Sequence, residues 1–254
     1  MPGRPYILAE TTWKTVREIP YEIAILPWGA TEAHNYHLPY STDVVESDRI
    51  AAESARLAWE NGARVIVLPT VPFGVNTGQL DIKLTLNMNP STQLAVLNDI
   101  AASLAHQGIP KLVVLNGHGG NDFRQIIREL LPKHKIFICT LDWYRLIDTS
   151  KFFDEAGDHA GEMETSLMQL FTPDLVLPLS EVGDGKARKF KVQALREGWV
   201  WTQREWTKAT ADTGVGNPKA ATPEKGQRYF EAVTQKIAGF LAELAKADVR
   251  DLYE

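Results

Sequence analysis

Cysteine is nearly absent from this sequence, and so is any excess of positive charge. Cys139 is the only cysteine in 254 residues, so no intrachain disulfide can form and a thiolate zinc site is excluded. It lies in the apolar run KIFICTLDWY and reads as an inert core residue, because a thiol in apolar surroundings is poorly ionised. Lysine and arginine number 27 against 32 acidic residues, a formal charge of −5. That balance argues against nucleic acid or an anionic membrane as a partner. Long apolar runs are absent as well. The opening MPGRPYILAETTWKTV lacks a continuous signal-peptide core and no later run approaches a membrane span, so a soluble, cytoplasmic protein is the expectation. What remains is ordinary for a globular chain with a sizeable core: 44% apolar and 23% charged residues.

The apolar runs alternate with helical patterns. Residues 21–31, 63–74, 111–122 and 135–144 read as buried strands, the third running into a glycine-rich turn. Between them, 43–62, 89–108 and 123–134 repeat apolar residues every three or four positions and read as helices. Ser91 or Thr92 is available to cap the second helix, and Gly62 and Gly108 lie just past helix ends. Successive βαβ units with near-continuous apolar strands imply a mostly parallel sheet covered on both faces. Beyond residue 158 the order changes: 158–171 reads as a loop entering a helix, 176–216 as irregular, and 223–247 as a closing helix. No linker or repeat divides the chain, so residues 1–254 are expected to form a single domain.

Histidine is scarce too, and its placement is informative. Of six histidines, four fall in three polar clusters at strand ends or helix entries: Glu32-x-His34 to Asp43 with His37 between them, the turn NGHGGND at 116–122, and DHAGEMETS at 158–166. His106 and His134 sit near predicted helix ends and read as solvated. Each cluster alone also fits a polar turn or an acidic helix start that complements the helix dipole. Parallel sheets gather ligands at the carboxyl ends of their strands, which brings the three clusters into one crevice. Imidazole with carboxylate and without thiolate suits Zn, Mn or Fe(II) rather than Ca. More ligands than one catalytic zinc needs suggest two ions, with Asp43 as the natural bridge and a bridging hydroxide attacking a polarised carbonyl. The NGHGG turn also fits a phosphate site at a helix start near Gly120. His118 inside the turn, with no P-loop lysine and no GxGxxG spacing, ranks that reading lower.

Together the clusters resemble the creatininase (creatinine amidohydrolase) family. The family pattern Gly-x-x-Glu-x-His-x-x-His-Leu-Pro-x-x-x-Asp stands here as Gly29, Glu32, His34, His37, Leu38, Pro39 and Asp43. Its Asn-Gly-His turn matches 116–118, and its His-Ala-Gly-x-x-Glu-Thr-Ser matches His159 through Ser166. TGVGNPKAATPEKG (213–226) also resembles the family's C-terminal segment. The resemblance implies a three-layer α/β/α sandwich, a two-metal centre with Zn, Mn or Fe, hydrolysis of an unusual C–N bond and a homo-oligomer, a hexamer being favoured. Carried over, Glu32, His34, Asp43 and His118 look like metal ligands. Glu164 matches a carboxylate at the site, as ligand or as base, and His159 the acid/base histidine. His37, Asn116, Trp199 and Trp201 are the candidates for contact with substrate.

Two departures alter the expected pocket. Creatininase carries a tyrosine and a carboxylate where this chain has Gly119 and Gly120. Many relatives carry a histidine and a Phe-Pro-Gly-Thr segment where it has GVNTGQLDIKLTLNM (74–88). The tryptophan-rich stretch 198–214 reads either as packing or subunit contact, or as a lid with Trp199 and Trp201 on one face of a strand. The leading expectation is an amidohydrolase acting on a small cyclic amide, lactam or formamide. Opening of a keto-inositol ring, with Asn76, Thr77, Gln79 and Asn87 as polar partners, and a non-catalytic metal-binding assembly protein are the alternatives.

Overall fold

The computed structural model describes residues 3–253. A one-turn helix, α1 (Trp13–Val16), precedes β1 (Ile23–Trp28), α2 (Thr42–Glu60), β2 (Val65–Val67), α3 (Pro90–His106), β3 (Lys111–Asn116), α4 (Phe123–Leu130) and β4 (Phe137–Asp142). The four strands lie parallel in the order β2-β1-β3-β4, with Trp28 opposite Asn116 and Asn116 opposite Asp142 at their carboxyl ends. After β4, a short strand β5 (Gly157–His159) enters α5 (Glu162–Phe171). Two short helices, α6 (Gln193–Glu197) and α7 (Trp206–Ala209), and β6 (Val215–Gly216) lead to α8 (Pro223–Lys246).

Every residue of β1 and β3 is buried, because successive side chains enter two different cores. Ile23 and Ile25, with Val113 and Leu115, face α2 and α8 through Ile50, Ala55, Val233, Ile237 and Leu241. Ala24, Leu26 and Trp28, with Leu112 and Val114, face α3 and α4 through Leu97, Ala101, Phe123 and Leu130. This is the three-layer α/β/α architecture, and it explains why the strands read as unbroken apolar runs. No helix among the described residues is long and apolar enough to cross a membrane.

Several boundaries differ from the sequence expectation. Helix α3 begins at Pro90 with Asn89 as its cap, rather than behind Ser91 or Thr92, because proline lacks the N–H that the first turn leaves unused. Helix α4 starts at Phe123, not near Gly120, where the Asp122 carboxylate accepts from Arg124 N at 3.1 Å. Residues 199–201 form no strand: Gly198, with φ +82°, ends α6, and among the described residues no strand pairs with them.

The chain runs from β1 outward to β2 on one side and to β3 and β4 on the other. The crevice above the carboxyl ends of β1 and β3 is therefore the topological switch point. All three polar clusters converge there.

Candidate metal centre

Close backbone packing sets the first cluster. A Cβ on Gly29 would lie 2.7 Å from Val44 N and 2.9 Å from Asp43 O. Glycine there lets the start of α2 press on the end of β1, which carries Asp43 against Glu32 and His34. In the second cluster the Asn116 side chain builds the turn: its Nδ2 donates to His118 O at 3.0 Å and Asp142 Oδ1 at 2.8 Å. Its Oδ1 accepts from Asn121 Nδ2 at 2.9 Å. The third cluster depends on Ala160, a left-handed residue with φ +50°. This turn lets Ala160 N donate to Glu164 Oε2 while His159 faces the same crevice.

Glu32, His34 and His159 form one triad of possible ligands, and two further triads share Asp43. Glu32, Asp43 and His118 make one; His34, Asp43 and Glu164 make the other. His118 Nδ1 lies 2.9 Å from Glu32 Oε1 and 3.0 Å from Asp43 Oδ2. His34 Nε2 lies 2.9 Å from Asp43 Oδ1 and 4.0 Å from Glu164 Oε1. The two oxygens of Asp43 thus serve different triads. His34 Nε2 and Asp43 Oδ2 are fully buried, yet neither makes an aligned hydrogen bond. Atoms this close without alignment converge on a common point rather than on each other, the arrangement a cation requires.

Backbone carbonyls fix the imidazole tautomers. His34 Nδ1 donates to Glu32 O at 3.2 Å, His118 Nε2 to Val75 O at 3.0 Å, and His159 Nε2 to Ala33 O at 2.9 Å. Each leaves the other ring nitrogen facing the centre, where a lone pair becomes available once an ion displaces any proton there, as outer partners of ligating histidines do. Gly120 is tied to this geometry. A Cβ there would lie 2.1 Å from Val75 O and 2.5 Å from His118 Nε2, so a carboxylate at this position is incompatible with the His118–Val75 hydrogen bond.

The electrostatics fit a cation-binding site. Burial opposes charge on His34, but the Asp43 carboxylate overcomes it and raises the imidazole to about 10. His118 is likewise raised well above the ordinary range, its burial outweighed by Glu32 and Asp43. Burial pushes Glu164 up to about 7, against the opposing charge of His34. Glu46, one helical turn beyond Asp43, is pushed well above the carboxylate range by burial and by its neighbours Glu164 and Asp43. Without other cations, protons occupy this carboxylate cluster. Divalent ions would displace them, which couples ion binding to proton release. The donor set is imidazole nitrogen and carboxylate oxygen, so the residues present fit Zn, Mn or Fe(II).

The creatinine amidohydrolase family model (Creatininase) matches residues 9–241. The chain belongs to the creatininase family. A solved protein from Bacteroides fragilis, provisionally named a creatinine amidohydrolase, is 44% identical with a TM-score of 0.92, covering 98% of this chain and 99% of that one. A mycofactocin precursor peptide peptidase from Mycobacterium ulcerans is 28% identical over 93% of this chain and 92% of its own. A mutant creatininase of Zn–Zn type is 25% identical with a TM-score of 0.79, covering 96% of this chain and all of that one.

Relative to the creatininase-like expectation, Glu32, His34, Asp43, His118, His159 and Glu164 come together in the crevice. His37 does not line it: its Nε2 pairs with Thr165 Oγ1 at 2.9 Å on α5. Asn116 is spent on the turn beneath. Trp201 borders the cavity but is 82% exposed, whereas Trp199 turns away and donates from Nε1 to Glu197 Oε2 at 3.1 Å. The contacts of three further groups were not foreseen from the sequence. Gln79 Nε2 donates to Glu32 Oε2; it was legible only as a polar residue of an atypical loop. Glu46 carried a signal, since it sits three residues after Asp43 on the same helix face. Trp206, of the tryptophan-rich stretch, packs edge-on against His159 with ring centroids 4.7 Å apart.

Proposed function

We propose that the chain is a dinuclear metal-dependent amidohydrolase that cleaves the C–N bond of a small cyclic amide, lactam or formamide. The observation that supports this reading most is Asp43, whose two carboxylate oxygens are each within 3.0 Å of a histidine from a different triad. Glu32, Asp43 and His118 would hold one divalent ion, and His34, Asp43 and Glu164 the other. When bound, such ions polarise an amide carbonyl and acidify water.

The chain's own groups account for the remaining chemistry. Gln79 holds Glu32 Oε2, leaving Oε1 toward the centre. With Nε2–H fixed on Ala33 O, His159 has Nδ1 free to carry a proton, 3.8 Å from Glu32 Oε1. In hydrolysis, water oxygen bonds to the acyl carbon and gives a proton to His159 Nδ1, which delivers that proton to the leaving nitrogen as the C–N bond breaks. Glu164 faces the same space and, raised to about 7 by burial, serves as ligand or as base.

The cavity over the centre measures about 770 Å³, which accommodates an amide within a larger molecule than a single five-membered ring. The polar groups that the keto-inositol reading would use are partly engaged within the protein, while Asn76 Oδ1 and Gln79 Oε1 keep no hydrogen-bond partner. Asn87 Oδ1 accepts from Asn76 N at 2.7 Å, Asn76 Nδ2 donates to Leu86 O at 3.1 Å, and Gln79 binds Glu32. A purely metal-binding role leaves His159 and the cavity without a use. We also propose a homo-oligomer, because residues 186–203 form an excursion with no buried residue.

His159→Gln tests the assignment. Metal content should stay at the wild-type level while turnover of the best amide in a lactam, formamide and creatinine screen falls by about 10²–10⁴-fold. Loss of metal would instead make His159 a ligand.

A further inference from the structure

One cation stands on the cavity wall beside the Trp206 ring. Arg204 lines the cavity together with Asp158, His159 and Trp206. Its guanidinium stacks on the Trp206 ring at 4.9 Å from the centroid, and that ring meets His159 at 4.7 Å between centroids. Only one indole therefore separates the guanidinium from the acid/base imidazole. A close backbone pass fixes where Arg204 stands: a Cβ on Gly78 would lie 2.0 Å from Arg204 O, so residues 203–204 rest directly on the loop that carries Gln79.

The partner of Arg204 in the free protein is Asp158, at 2.8 Å from Nη1. Their side chains are 36% and 62% exposed. An ion pair that open to water contributes little to stability, so exchanging its carboxylate for another costs little. A planar guanidinium stacked on an indole is preorganised to grip a carboxylate or phosphate with two parallel hydrogen bonds. The other arginine of the cavity, Arg145, also stacks on a ring, Tyr144 at 5.2 Å from the centroid, but it is 68% exposed and 3.6 Å from Asp142.

We propose that Arg204 is the recognition group for an anionic substituent of the substrate, with Asp158 as its placeholder in the free protein. The substrate is then an amide carrying a carboxylate or phosphate a few bonds from the scissile C–N bond. The indole of Trp206 flanks the connecting atoms, and the anion displaces Asp158 from Arg204. This rests on the amidohydrolase reading above and specifies the substrate that site takes.

The test is equilibrium binding by calorimetry to the zinc-loaded protein. The probes are N-formylglycine, N-formyl-β-alanine and N-formyl-γ-aminobutyrate, each paired with its neutral primary amide; N-formylaminoethyl phosphate distinguishes a phosphate from a carboxylate. Wild type should bind at least one anionic probe about tenfold more tightly than its neutral partner, the size of a charge-assisted hydrogen bond. Arg204→Gln should reduce that preference to within about twofold, Arg204→Lys should keep part of it, and Asp158→Asn should leave it equal or larger. A preference that persists in Arg204→Gln, one lost only in Arg145→Gln, or one weakened in Asp158→Asn overturns the proposal. Metal content measured on each protein separates the two readings: wild type that binds no metal defeats the amidohydrolase assignment, whatever the probes do.

Discussion

The amide of Gln79 donates to Glu32 Oε2 from a loop 47 residues away, which leaves Oε1 beside His118 Nδ1 at 2.9 Å. Partners of this kind orient a ligand, and their loss costs about 10–100-fold in metal affinity. Gln79→Leu should therefore weaken one ion by that factor in competition with a chromogenic chelator, and Gln79→Glu, which adds a like charge, should weaken it further. Unchanged affinity in both would remove Gln79 from the site. His37 offers a test of a different sort. Burial, with His34 nearby, lowers its imidazole to about 4, so the folded protein keeps it neutral where the unfolded chain takes up a proton. Above about pH 6.5 both states are neutral and His37 contributes no pH dependence. Below that the unfolded state binds more protons, and stability falls toward pH 4. His37→Gln, which can still bond the Thr165 hydroxyl, should flatten the decline in melting temperature between pH 7 and 5. Parallel profiles would place the acid sensitivity elsewhere. At this scale Glu32, His34 and Asp43 were readable because they share one short motif. Gln79 was not, since nothing near it in sequence marks its partner.

Elements were legible wherever burial imposes a period. Helix α8 buries Tyr229, Val233, Ile237 and Leu241 at a spacing of four, and β1 and β3 bury every residue between two helical layers. Boundaries were less legible because local capping decides them, as Pro90 and Asp122 show. The stretch 186–203 is the case where pattern reading fails. It carries the alternating Trp199 and Trp201, yet among the described residues no strand pairs with it, and these rings stand 73% and 82% exposed. Five basic residues and one acidic residue lie along it, in a chain that is acidic as a whole. Two exposed indoles and a local excess of positive charge are what the proposed association surface would offer. The protein should run as a homo-oligomer in light scattering, and the double variant Trp199→Ser, Trp201→Ser should shift it toward smaller species. A monomeric wild type, or a double variant of unchanged mass, would contradict this.

Across the whole molecule, the parallel sheet and its switch point explain why residues 32–43, 118 and 159–164 meet. The β1–β3 pairing aligns Trp28 with Asn116, so the turns that follow the two strands lie side by side. Helix α2 enters between them at Gly29, and the β5–β6 ribbon brings His159 over the top. The sequence motifs named nearly all of these residues and suggested Asp43 as a shared bridge; the three-dimensional arrangement adds which histidine each of its oxygens faces. That sharing is also the point most exposed to experiment. Metal stoichiometry by inductively coupled plasma mass spectrometry, on protein loaded with zinc and freed of excess ion, reads it directly. The dinuclear assignment predicts two ions per chain in wild type, one in His118→Ala and in Glu164→Gln, and none in Asp43→Asn. A single ion in wild type, or one retained in Asp43→Asn, would contradict it.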